Sequence, residues 1–135
     1  MESTDSRSCF TPASARAALV QVRPVAEDIC RLYRLLETRR PTRVDSDQRV
    51  VPQYFMTVRR LHGLIESLDR KGIRVKDPKR GLLDFPARLD GRNVLLCWKV
   101  GEPTLLFWHE PNAGFAGRRP VDEHAAWTDV PDLTE

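Results

Sequence analysis

Residues 82–100 read LLDFPARLDGRNVLLCWKV, and the two-residue period on either side of Asp90-Gly91 decides the fold. Asp-Gly between two alternating runs is the strongest short-range signal for a β-hairpin, because a type I′ turn needs both central residues in the left-handed region. A two-residue turn there pairs Leu89 with Arg92, and therefore Asp84 with Cys97. In that register Leu83, Phe85, Ala87 and Leu89 share a face with Val94, Leu96, Trp98 and Val100, so one face is continuously apolar. The other face collects Leu82, Asp84, Pro86, Arg88, Asn93, Leu95, Cys97 and Lys99. A slip of one residue would scatter the apolar set over both faces. The expected strands are 82–89, 92–100 and 104–110, the third returning through a turn at Gly101-Glu102-Pro103.

An apolar sheet face needs cover, and the residues before it supply helices. Thr11 is a suitable N-cap with Pro12 at the first helical position, where its missing N–H costs nothing. Ala15, Leu19, Val22, Ala26, Ile29, Tyr33 and Leu36 then follow at alternating spacings of four and three, a heptad seam. This predicts a helix over 12–39, kinked at Pro24 and ended before Pro41. Residues 41–50, PTRVDSDQRV, lack periodicity and read as a loop. Tyr54, Val58, Leu61, Ile65 and Leu68 repeat the seam, predicting a second helix over 51–71 closed by Gly72. The expected architecture is α+β: an N-terminal antiparallel helical hairpin packed on a three-stranded antiparallel β-meander. A helix of about 28 residues is roughly 42 Å long and a strand of about eight is roughly 26 Å. The helices should therefore overhang the sheet, and the uncovered seam implies a homodimer through the helical hairpin.

The 135 residues suffice for one core. Residues 1–9 are expected to be a flexible N-terminus, 10–121 a single domain and 122–135 an acidic tail. A mean hydropathy of −0.45 and the absence of an apolar run of roughly 18 residues exclude membrane insertion. Glu2 and Asp5 in a polar N-terminus fit neither a secretory signal nor a transit peptide, so a cytoplasmic protein is expected. Three cysteines, Cys9, Cys30 and Cys97, without CxxC spacing exclude a disulfide framework and a zinc finger. The net charge of +3 is unevenly spread. Every Lys and Arg lies at or before Arg119, whereas Asp122, Glu123, Asp129, Asp132 and Glu135 follow it. Such an end is a solvated tail or one that folds back over a basic surface.

Several motifs resemble one family. They are Val75-Lys76-Asp77-Pro78, Gly81 through Pro86, Asp90-Gly91-Arg92, Leu96-Cys97-Trp98, Gly101-Glu102-Pro103, Phe107-Trp108-His109-Glu110 and Gly114-Phe115-Ala116-Gly117-Arg118-Arg119-Pro120. With Phe10-Thr11 and Val22-Arg23-Pro24, these resemble the uncharacterised, mainly bacterial family catalogued as domain of unknown function 2203, over about residues 10 to 121. The resemblance implies a fold and no activity.

Register arithmetic points to a site. If the turn at 101–103 is three residues long, Cys97 pairs with Phe107 and His109 falls opposite Leu95, diagonal to Cys97. Asp84, Cys97 and His109 then share the mixed face, where carboxylate, thiolate and imidazole could hold zinc or iron with a coordination position left for water. A turn changed by one residue would send His109 to the apolar face. The same trio could serve thiol catalysis, or form a structural cluster in which Cys97 packs as a small hydrophobe. Gly114, Gly117, Arg118 and Arg119 are a second candidate, an anion site of converging backbone N–H groups and two guanidinium groups. Arg59, Arg60, Arg70, Lys71, Arg74, Lys76, Lys79 and Arg80 form a basic run without interleaved aromatics, so nucleic acid is not expected as a partner. The first expectation is a non-enzymatic ligand- or protein-binding module. The alternative is a metal-binding protein or metal-dependent enzyme using the Asp/Cys/His cluster.

Overall fold

The computed structural model of the chain describes residues 9–39 and 50–129. Two helices, α1 (Pro12–Thr38) and α2 (Val50–Asp69), precede six strands. These are β1 (Arg74–Asp77), β2 (Leu82–Leu89), β3 (Arg92–Lys99), β4 (Phe107–His109), β5 (Arg119–Pro120) and β6 (Trp127–Thr128). The strands make one antiparallel sheet in the order β1-β2-β3-β4-β5, with β6 also paired to β2. The loop expected at 41–50 and the terminus expected at 1–9 fall almost wholly outside the described residues.

Helix α1 begins with a reciprocal cap: Thr11 Oγ1 accepts from Ser14 N–H at 3.1 Å, and Ser14 Oγ accepts from Thr11 N–H at 2.9 Å. Such a box satisfies two of the orphan donors of the first turn. The helix runs through Pro24, and its seam residues Ala15, Leu19, Val22, Ala26 and Ile29 are buried. Helix α2 adds Leu61 and Leu68 to the same core. It closes where Ile73 N–H donates to Leu68 O at 3.0 Å and Gly72 turns left-handed at φ 82°.

The register read from Asp90-Gly91 is the one observed. Both turn residues are left-handed, at φ 52° and 77°, and Leu89 pairs with Arg92, Asp84 with Cys97 and Leu82 with Lys99. Leu83, Phe85, Ala87, Leu89, Val94, Leu96 and Trp98 are all buried in the core shared with α1 and α2. The turn before β4 also holds the expected register, since Cys97 pairs with Phe107 and Leu95 with His109.

Two features correct the sequence reading. The sheet has six strands rather than three, because β1, β5 and β6 are too short and too polar to announce themselves by alternation. The third expected strand shrinks from residues 104–110 to Phe107–His109. Carbonyls in the turn and in its missing half are taken by other groups. Arg23 donates to Glu102 O and Pro103 O, Arg16 Nε donates to Leu105 O, and Val121 N–H donates to Leu106 O. The acidic end likewise folds back over its first eight residues: β6 pairs with Arg88 and Leu89, Asp90 N–H donates to Ala126 O, and Glu123 pairs with Arg16.

Candidate metal centre

Three strands position the site. Asp84 sits mid-way along β2, Cys97 lies directly opposite on β3, and His109 ends β4 opposite Leu95. Residues opposite one another in a ladder point to the same face, so all three side chains leave the sheet on the side away from α1 and α2. Any change in the length of either connecting turn would send one of them to the apolar side.

The three groups converge. Every pair of candidate donor atoms, taken one from each residue, lies within 4.8 Å, and no fourth His, Cys, Asp or Glu joins them among the described residues. Asp84 and His109 are each 2% exposed and Cys97 is fully buried. His109 Nδ1 lies 2.7 Å from Glu110 O, and Nε2 lies 3.1 Å from Asp84 Oδ1. A carbonyl only accepts, so Nδ1 must carry the proton there. A neutral ring then presents the Nε2 lone pair to a carboxylate oxygen that is also an acceptor when ionised. Something positive must lie between them, either a proton or a metal ion.

The Cys97 thiol is pushed up to about 12. Burial is the main cause, followed by the Asp84 carboxylate, while the Arg118 charge pulls the other way. At neutral pH the metal-free residue is a protonated thiol that borders on Asp84. That disposes against thiol catalysis, which needs the thiolate. A metal ion would displace the proton, as it does at other cysteine ligands.

The glycine-arginine stretch is put to another use. The 3-10 turn at Phe115–Gly117 uses Gly117 N–H on Gly114 O and Arg118 N–H on Phe115 O, so these donors do not converge on an anion. Arg118 turns inward, its guanidinium 4.0 Å from the Phe107 ring centroid and 4.6 Å from that of Phe115. It pairs with Glu102 at 2.7 Å, whereas Arg119 stays exposed over Trp108. The four residues therefore form no joint cradle. Sequence reasoning missed the link of Arg118 and Glu102 to the Cys97 face, because Glu102 lies in a turn and Arg118 before a two-residue strand. The only hint was the register that puts Phe107 beside Cys97. In the basic run, Lys79 pairs with Glu37 at 3.3 Å and Arg80 with Asp77 at 3.6 Å, which makes them parts of a solvated surface.

No helix among the described residues is long and apolar enough to cross a membrane. A family model described as an uncharacterized conserved protein (DUF2203) matches residues 8–121. Searches of curated proteins and of solved structures yield no match.

Proposed function

The chain belongs to the DUF2203 family of uncharacterized conserved proteins, and we propose that it is a metal-binding protein with Asp84, Cys97 and His109 as ligands. The observation that carries this reading is the approach of His109 Nε2 to Asp84 Oδ1 at 3.1 Å, with Nδ1 already turned to a carbonyl and a thiol alongside. Metal-bound histidine commonly donates its other N–H to a backbone carbonyl, which sets the tautomer and aims the ring. Ligands on a tetrahedral ion with bonds of about 2.1 Å are roughly 3.4 Å apart, a few tenths of an ångström more than the separation found. Thiolate with imidazole favours zinc, with iron(II) second. The protein would then be a binding module whose ligand is a metal ion, and no reaction is assigned to it.

The rival arrangement is metal-free: an imidazolium and the Cys97 thiol both donate to Asp84. Elemental analysis of tag-free protein, dialysed against micromolar zinc and then buffer, decides between the two. One zinc per chain, lost in Cys97→Ala, is the expected result. Folded protein that retains no metal would remove the proposal.

A homodimer through the helices is a separate proposal, supported by Val20, Phe55 and Met56, which stay exposed on α1 and α2. Sedimentation of the full chain should show a dimer at high micromolar concentration, and a monomer there would end the idea.

A further inference from the structure

Structural zinc sites close with four protein ligands, whereas sites with three leave a position for water or an exogenous ligand. The proposed centre has three. What the remaining position accepts follows from Arg118, whose guanidinium stacks on Phe107, the cross-strand partner of Cys97. Directly paired side chains are close neighbours, so the cation lies one strand away from the thiol.

Arg118 is held rigidly. Two aromatic rings clamp it, Nη2 donates to Glu102 at 2.7–2.8 Å, and its side chain is 10% exposed. Its Nε–H is buried and has no hydrogen-bond partner among the described residues. An unpaired buried donor is destabilising, and a guanidinium cannot shed the proton to escape that cost. A donor kept in that state on a guanidinium stacked against the cross-strand partner of Cys97 is open to an acceptor that arrives with the metal's own ligand.

We infer that the centre takes a small carboxylate as its fourth ligand, one oxygen on the metal and the other accepting from Arg118 Nε. This rests on the metal reading above. The net charge does not select the ligand, since a divalent ion with Asp84, the Cys97 thiolate and a neutral His109 is balanced and Arg118 is balanced by Glu102. What favours a carboxylate is that it gains a metal bond and a charge-assisted hydrogen bond together. The ligand must be small, because all three protein ligands lie beneath the surface.

The test uses the full chain loaded with cobalt(II), whose visible bands report its coordination, titrated with acetate at constant ionic strength against chloride. The expected result is a saturable shift of the bands. In Arg118→Lys and Arg118→Met, each still holding one cobalt, acetate should bind about tenfold or more weaker, the scale of one charge-assisted hydrogen bond. Bands in the unaltered protein that acetate does not move, or an unchanged acetate affinity in both variants, would overturn the inference. Loss of cobalt from both variants would also overturn it, by making Arg118 a support of the centre itself. A chain that takes up neither cobalt nor zinc sinks the metal reading and this inference with it, an outcome visible in the metal stoichiometry before any acetate is added.

Discussion

At the scale of single residues, Cys97 and Gly81 do the most with the least. A metal must displace the thiol proton of Cys97, held up to about 12 by burial and by Asp84, so zinc affinity should rise with pH across the neutral range. Calorimetry at several pH values checks the sign, and a pH-independent affinity would mean that Cys97 is no ligand. Cys97→Ser should weaken zinc by more than the roughly 10–100-fold typical of losing a supporting partner. Gly81 is buried, left-handed at φ 65°, and a Cβ there would clash with the Val100 side chain. Overpacking and the left-handed backbone together should make Gly81→Ala cost about 2–4 kcal/mol. A melt unchanged from the parent would show that the turn before β2 yields to the added methyl.

At the scale of elements, the segment that carries β6 shows how a charged end becomes structure. Trp127 meets Trp108 edge to face at 6.3 Å, and Glu123 grips Arg16 through both carboxylate oxygens, at 3.0 and 2.7 Å. Arg16 lowers the Glu123 pKa. The pair therefore contributes above the ordinary carboxylate value of about 4.3 and loses its contribution as pH falls through the lowered folded value. The pair is largely solvated, so its worth is at most about 1 kcal/mol and should shrink in salt. Tryptophan fluorescence should report an acid step that Glu123→Gln abolishes, and a step of equal size in that variant would assign the titration elsewhere. Trp127→Ala should cost about 1–2 kcal/mol by denaturant melt, from the aromatic pair and the apolar area it covers.

At the scale of the whole molecule, a metal bound only by the folded chain stabilises it by linkage. Free zinc at about 100 times its Kd adds about 2.7 kcal/mol, which should raise the Tm by several degrees, and a chelator should reverse the shift. A Tm indifferent to zinc would leave Asp84, Cys97 and His109 as an ordinary buried cluster. Much of this molecule is written locally. The cap at Thr11, the seams of α1 and α2, and the Asp90-Gly91 turn depend on neighbours a few residues apart, and the turn alone sets Asp84 against Cys97. The third member needed one more local count, the length of the turn at 101–103, and it placed His109 correctly. Chain order says nothing of contacts whose partners are distant in sequence. Leu105 O is taken by Arg16, β6 lies on the edge of β2, and Arg118 is wedged between Phe107 and Phe115 with Nε left over. Turn geometry and periodicity are set by short-range sterics, whereas the satisfaction of a buried polar group depends on whatever the rest of the fold brings beside it, and only tertiary packing decides that.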